Sequence, residues 1–444
     1  MSLSTAWLHA ALTARLPADA SSLVVALSGG PDSAALLAAL ASMPHPRLPL
    51  RALHVDHGLQ AAAAHFREHC VALCERWCVP LKILQAHLQT PPGASLEAAA
   101  REARYRLLAA QLHTGECLLT AHHAEDQAET LLLQALRGAG LKGLASMPVR
   151  QPLGLGHHVR LLLDVPHAAL LALGAGLDAR GAPDPMNEDL RFDRNYLRRA
   201  LWPTLVQRWP GAAGALARTA RLLAEAQDLV DQSARRDVTR LRDGAALQVP
   251  ALRALSPPRR HAAVRLWLSE LDIELPSEAR LGEALRQVFA AQPDQLPAVL
   301  WGVHALRRYR QRLFVTTAYP PRLQGEYSLE LVPGARLQLG PGLGSLVVVQ
   351  QRGGLDGACC PLRLTVRARL GGESLKRHAK AATQSVPRLC QSIGVLPWQR
   401  DALPLLWAGE VLAGVADLWL ESRFCVAANA PGLGIVWQDA PLVV

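Results

Sequence analysis

The sequence predicts an α/β fold with a parallel sheet, followed by a helical middle domain and a small α+β C-terminal domain. Three observations carry this. Between Leu23 and Gly143, short apolar runs alternate with helix-length segments, which is the pattern of βαβ units and therefore of a parallel sheet. From about Trp209 the chain turns to Ala/Leu/Arg-rich helices, and after Pro320-Pro321 to short Val/Leu strands broken by glycine and proline. The 444 residues also exceed what one core ordinarily organises. Domain divisions are expected at 1–208, 209–322 and 323–444.

The elements follow in order. "MSLSTAWLHAALTARL" reads as a short amphipathic helix, because it lacks the basic start and long apolar stretch of a secretion signal. "LVVALS" (23–28) is the first strand; it ends at glycines and is followed by a helix to about Ala41. "LRALHVDH" (50–57) is the second strand and "AAAAHFREHCVALCERW" its helix. "LKIL" (81–84) is the third, followed by the helix "SLEAAAREARYRLLAAQL". "CLLTAHH" (117–123) is the fourth, and "EDQAETLLLQAL" opens the next helix. Parallel sheets bind ligands beyond the carboxyl ends of their strands. The polar clusters after strands one, two and four all fall there. Further on, "AAGALARTARLLAEAQDLVDQSARR" and "SPPRRHAAVRLWLSEL" supply the helical middle, and "LELVPGARLQLGPGLGSLVVV" the strands of the last domain.

Net charge is +10 and pI about 9.6. That balance suits a polyanionic partner, although an Arg-rich, Lys-poor chain is also what a GC-rich genome encodes. No apolar run approaches the ~18 residues of a membrane span, so a soluble, cytoplasmic protein is expected. Eight cysteines fall at 70, 74, 78, 117, 359, 360, 390 and 425 without a CxxC pair. Cys70, Cys74 and Cys78 recur every four residues on one side of a helix, a pattern that favours packing over ligation. Neither zinc nor an iron–sulfur cluster is expected.

"SGGPDS" (28–33) is the stretch richest in chemistry. Gly29 and Gly30 let several backbone N–H groups converge on one anion. Pro31 suits the first helical position, and the helix end with the Ser28 and Ser33 hydroxyls can bind phosphate without a lysine. GxxxxGK[ST] and GxGxxG are both absent. Asp32 within such a cradle makes sense if a divalent cation such as Mg²⁺ arrives with a nucleotide, or if a cationic co-substrate binds beside it. Otherwise it is a first-turn acid that stabilises the helix.

SGGxDS after a first strand resembles the PP-loop of the ATP-pyrophosphatases, and further stretches narrow the resemblance to the tRNA(Ile)-lysidine synthetase family. They are "HVDHGL" (54–59), "AAREARYRLL" (99–108), "TAHHAEDQAETLLLQALRGAGLKGLASM" (120–147), "DPMNEDLRFDRNYLR" (184–198) and, near the C-terminus, "RLGGE" (369–373) and "VLPWQRDALPLLWAGEVLAGVADLWL". Two positions depart from the family pattern. Glu125 stands where an Asp is usual, and Met186 where a Ser is usual.

The resemblance implies a ligase with ATP and Mg²⁺ as co-substrate and cofactor, and with free L-lysine and a CAU-anticodon tRNA(Ile) as partners. ATP would bind at Ser28, Gly29, Gly30, Pro31, Asp32, Ser33, Asp56 and His57, with Asp32 also facing the metal. Lysine and the chemistry would fall to Asp32, Arg104, His122, His123, Asp126 and Glu129. Of these, Asp126 and Glu129 also fit a helix N-terminus for dipole reasons alone. Arg194, Asn195 and Arg198, in a basic run interleaved with Phe192 and Tyr196, suit phosphate contact and base stacking. Arg369, Lys376, Arg377 and Lys380 belong to a one-sided basic run over 362–388 that favours RNA backbone. Two alternatives stay open. A PP-loop enzyme inserting sulfur into tRNA would ordinarily need a CxxC pair, which this chain lacks. A non-catalytic RNA-binding protein with a vestigial nucleotide site would bind tRNA without turnover.

Overall fold

A computed structural model of the chain describes residues 3–44, 48–56, 63–86, 96–182, 189–292 and 295–440, the side chains of 63–64 and 96–98 excepted. The chain divides into two compact units, Met1–Val230 and Asp231–Val444.

The first unit holds strands β1 (Ser22–Ala26), β2 (Leu50–Asp56), β3 (Leu81–Gln85), β4 (Glu116–Leu119), β5 (Arg150–Leu153) and β6 (Gly156–Val159). Its helices are α1 (Thr5–Arg15), α2 (Pro31–Ala41), α3 (Ala63–Arg76), α4 (Leu96–Ala109), α5 (Ala124–Leu136), α6 (Leu141–Leu144), α7 (His167–Gly176), α8 (Asp193–Tyr196) and α9 (Trp202–Arg208). α10 (Ala212–Leu241) runs across the division. The sheet order is β3-β2-β1-β4-β6-β5. β1 pairs in parallel with both β2 and β4, and only the edge hairpin β5–β6 is antiparallel.

The chain therefore reverses its direction of travel across the sheet between β1 and β4. Such a reversal leaves, beyond the carboxyl ends of these two strands, the crevice in which such sheets bind ligands. α2 is apolar on every side, with Ser33 through Leu40 all buried, as befits a helix wrapped by the core. α7 crosses it at Gly174, where a Cβ would lie 2.8 Å from that of Ala35.

The second unit carries the expected middle helices and, packed with them, a sheet not anticipated from the sequence. Helices Val249–Ala254, Pro257–Glu270 and Glu278–Ala290 surround Trp267. They pack with a five-stranded antiparallel sheet of β7 (Arg242–Asp243), β8 (Ala246–Gln248), β9 (Ala298–Trp301), β10 (His304–Tyr309) and β11 (Arg312–Thr317), in the order β7-β8-β11-β10-β9. Turns at Gly302 and Arg310, both with positive φ, fold 298–317 into a meander. The arginines of that segment hide its two-residue alternation. Beyond it, a five-stranded and a three-stranded sheet with helix Val386–Ser392 form the α+β region around Leu364, Val366, Leu405 and Leu406. No helix among the described residues is long and apolar enough to cross a membrane.

Candidate active site

The loop between β1 and α2 is tied by its own hydroxyls. Ser33 Oγ accepts from the Ser28 amide (3.1 Å) and donates to the Gly30 carbonyl (3.1 Å). The two serine hydroxyls meet at 3.0 Å, and the Gly30 amide donates to Ser28 Oγ at 3.3 Å. Gly30 caps α2 with no side chain of its own, so the first-turn amides are left for a ligand. Gly29 sits at φ +88°, and a Cβ there would press on the Phe66 ring at 2.9 Å. Behind the loop, the Ala182 amide donates to the Gly29 carbonyl at 2.9 Å. A Cβ on Gly181 would lie 2.1 Å from Pro31 N. The segment 181–182 braces the cradle from outside, at a contact only glycine allows.

Across the crevice, β4 delivers Thr120, His122 and His123, and α5 delivers Glu125, Asp126 and Glu129. His123 caps α5 while Asp126 Oδ2 accepts from the His123 amide at 3.1 Å, a reciprocal arrangement that fixes both residues. Three carboxylates surround the buried His123 ring. Glu125 Oε2 lies 3.1 Å from Nδ1, Asp126 Oδ2 lies 3.3 Å from Nε2, and Asp32 Oδ2 lies 3.9 Å from Nε2. His167, the first residue of α7, stacks on His123 with centroids 4.3 Å apart. It places Nε2 2.7 Å from Asp32 Oδ1, and its amide donates to Glu125 Oε2 at 2.9 Å. The hydrogen bond that His167 Nε2 donates to Asp32 raises the His167 pKa against the opposing effect of burial. Burial would push Glu125 up, but His123 and the His167 amide hold it below its usual range.

Asp126 and Glu129 are held from the other side by two arginines. Arg194 reaches Asp126 Oδ1 and Glu129 Oε2, both at 2.9 Å. Arg198 reaches Asp126 Oδ1 at 3.0 Å and Glu129 Oε1 at 2.7 Å. Burial alone would raise the Asp126 pKa, yet His123, Arg194, His122 and Arg198 together hold it down at about 2. Asp126 is therefore a permanent carboxylate near neutral pH. Beside it, Thr120 Oγ1 bridges His122 Nδ1 (2.7 Å) and His158 Nε2 (2.9 Å). Burial lowers His122 to about 3 and His158 to about 2, so both imidazoles stay neutral. Tyr105 stands against His158 at 5.4 Å between centroids, with Arg101 and Arg104 over its ring at 5.1 and 5.3 Å. Burial pulls the Arg104 pKa down, with Tyr105 opposing it.

The residues singled out in the sequence separate into three groups. Ser28–Ser33, His122, His123, Asp126 and Glu129 gather at the crevice, with Arg104 and Tyr105 beside His158. Asp56 is buried at the end of β2 and accepts from Gln85 at 3.4 Å. His57 and Met186 lie outside the described residues. Arg194 and Arg198 face the acids, and Asn195 donates to the Asp189 carbonyl at 3.0 Å. In the second unit Arg377 and Lys380 are exposed, the Lys376 amide donates to Glu421 (2.7 Å), and Arg369 lies 3.7 Å from Asp401. Sequence reasoning missed His167, His158, Thr120 and Gly181. Recognising β6 would have exposed His167, because "VPHAAL" begins a helix just beyond that strand's carboxyl end.

Asp32 offers a hard oxygen of the kind Mg²⁺ takes, with nucleotide phosphates supplying the rest. The neighbouring imidazoles of His123 and His167 are not ligands of that kind.

A PP-loop domain description matches residues 6–205, a TilS substrate binding domain 247–314, and a TilS substrate C-terminal domain 364–437. The tRNA(Ile)-lysidine synthase of Alkalilimnicola ehrlichii is 38% identical over 426 residues, which is 95% of this chain and 94% of that protein. That of Xanthomonas campestris pv. campestris is 37% identical over 428 residues, 94% of this chain and 95% of the relative. Among solved structures, a U34-tRNA thiolase from Methanococcus maripaludis aligns with 49% of this chain and 80% of its own at 18% identity, with a TM-score of 0.40.

Proposed function

The chain belongs to the tRNA(Ile)-lysidine synthase family, and from that premise we propose how its residues share out the reaction. The enzyme is a PP-loop ligase that joins lysine to C2 of the wobble cytidine in the CAU anticodon of tRNA(Ile). ATP is consumed and the codon read changes from AUG to AUA. In the first step the cytidine O2 attacks the α-phosphate of ATP and pyrophosphate leaves. In the second the ε-amine of free L-lysine attacks C2 and AMP leaves. Adenylation turns a poor leaving group into a good one.

The Ser28–Ser33 cradle and the open end of α2 hold the phosphates and stabilise negative charge developing on the departing pyrophosphate. Mg²⁺ carried by ATP would be held by Asp32 and would neutralise part of that charge. Asp126 and Glu129 attract and orient the lysine ammonium. A carboxylate held at about 2 is a weak base, and general bases work best near the working pH. Asp126 therefore orients the amine, and the proton released on attack passes to the departing AMP or to solvent. Arg194 and Arg198 order these acids, a role that differs from the tRNA contact their sequence context suggests. The target base must leave its stack to enter the crevice. We assign 1–208 to catalysis and 209–322 and 323–444 to tRNA, with exposed Arg377 and Lys380 and neighbouring Arg369 and Lys376 on its backbone. The setting is the cytoplasm, where tRNA is modified.

The observation that carries this reading is the meeting of the cradle and the acid cluster across the β1/β4 crevice. Asp32→Asn and Asp126→Asn test it by comparing tRNA affinity with turnover. Lost turnover with tRNA affinity kept supports the ligase. Parallel loss of both would support an RNA-binding protein with no chemistry of its own.

A further inference from the structure

Arg160 follows β6 directly, beside the end of β4, and is only 3% exposed. Its Nη1 donates to the Pro148 carbonyl at 2.7 Å, while its Nε is buried with no partner. The Tyr105 hydroxyl is buried as well and makes no hydrogen bond of normal geometry. It lies within electrostatic reach of both Arg104 and Arg160, and Arg101 and Arg104 stand over its ring. Among the described residues, no carboxylate pairs with Arg101, Arg104 or Arg160. Burial lowers the pKa of Arg104 and Arg160, yet a guanidinium stays charged at neutral pH. Charge buried without a counter-charge is costly, and three guanidiniums around one phenol leave an excess that an anion relieves.

The neighbouring side chains add donors and no acid. Gln151 Nε2 donates to His158 Nδ1 at 3.4 Å. His158 therefore donates from Nε2 to Thr120 Oγ1, and Thr120 donates to His122 Nδ1. The neutral His122 ring then carries its proton on Nε2, which is one donor more. His122 feels Asp126 from one direction and Arg160, Arg194 and Arg101 from others, so it separates the acids from the buried guanidiniums. Acids for an ammonium beside guanidiniums for a carboxylate are the two halves of a free amino acid's charge. The phosphates have the backbone cradle of Ser28–Ser33, and a carboxylate suits the planar fork of an arginine.

We propose that Arg160, with Tyr105 and Arg104, holds the α-carboxylate of the amino-acid co-substrate and so selects a free amino acid over a simple amine. Arg160 is thus a specificity residue that lies away from the reacting atoms. The proposal rests on the lysine-transfer reading and adds to it the group that recognises the far end of lysine.

Full-length protein, Mg-ATP and unmodified CAU-anticodon isoleucine tRNA would be supplied with L-lysine or L-lysinamide. Mass spectrometry of the modified cytidine would give the rate with each. Lysinamide keeps the ε-amine and the shape but lacks the negative charge. Wild type should use lysine with a kcat/KM roughly tenfold or more above that for lysinamide, since the analogue leaves buried polar groups unpaired. Arg160→Gln should raise the KM for lysine about tenfold and bring the two amines near parity. Tyr105→Phe should move the ratio in the same direction, and it retains the packing if Arg160→Gln misfolds. Wild type that uses lysinamide as readily as lysine would overturn the proposal whatever the variants do. So would a variant that loses tRNA-dependent pyrophosphate release but keeps the wild-type ratio, because Arg160 would then serve a phosphate. Pyrophosphate released with neither amine joined would sink the lysine-transfer reading and this proposal with it, a result distinct from parity.

Discussion

Replacing Asp126 with asparagine removes the charge on which the crevice is built. The Asp126 carboxylate is buried, accepts from the His123 amide, and takes one guanidinium nitrogen each from Arg194 and Arg198. Its pKa falls from an ordinary 3.8 to about 2. A group depressed by roughly two units contributes, at about 1.4 kcal/mol per unit, about 2.5 kcal/mol of stability at neutral pH. That contribution is complete above the unfolded-state value of about 4 and disappears as pH falls through about 2. Roughly half remains at pH 3. For a folding unit of 230 residues, each kcal/mol moves Tm by about 2–4 °C. Asp126→Asn should therefore lower the melting temperature of the N-terminal unit by about 5–10 °C at pH 7, and by about half as much at pH 3. Differential scanning calorimetry of both proteins at the two pH values reads this directly. A shift under 1 °C at pH 7, or a full-sized shift persisting at pH 3, would refute the claim that the arginines and histidines hold this acid charged.

Other outcomes follow from the same geometry. Gly181→Ala forces a methyl group against Pro31 N, and overpacking of about 1–3 kcal/mol displaces the cradle. Fluorescent ATP-analogue binding should weaken about tenfold or more, and unchanged affinity would show that 181–182 does not brace the loop. Ser33→Ala removes the hydroxyl that joins the Ser28 amide to the Gly30 carbonyl. A loss of about 1 kcal/mol of stability predicts a melting temperature about 2–4 °C lower and, because the loop is loosened, weaker ATP binding by calorimetric titration. Burial pushes Cys70 up to about 12 and Cys74, Cys117 and Cys360 to about 11, whereas Cys78 and Cys359 are exposed. Asp356 raises Cys359, so a disulfide reagent at pH 8 should modify Cys78 first. Mass spectrometry that found Cys70 labelled early would contradict the packing described.

The parallel sheet was legible because each of its first four strands is a short apolar run ending in polar residues, and Ser28–Ser33 and His122–Glu129 follow two of those ends. β5 and β6 escaped notice because "RQPLGLGHHV" mixes proline, glycine and histidine where strands usually carry branched apolar residues. With them went His158 and His167. The direction of Arg194 and Arg198 could not be read from the chain, since an arginine beside aromatic residues serves an RNA phosphate and a buried acid equally well. The fold brings α8 and its continuation against α5, where the two guanidiniums meet Asp126 and Glu129. The middle sheet was hidden for a related reason. Arginines at 307, 308, 310 and 312 mask the two-residue alternation of β10 and β11, which turns at Gly302 and Arg310 fold back along the sheet.

Transfer of radiolabelled lysine to tRNA tests the central claim most directly. Purified protein, Mg-ATP and unmodified CAU-anticodon isoleucine tRNA would be compared with the CAU-bearing methionine tRNA. ATP-dependent label on the isoleucine tRNA alone is the predicted result. Well-folded protein that yields neither label nor tRNA-dependent pyrophosphate would contradict it.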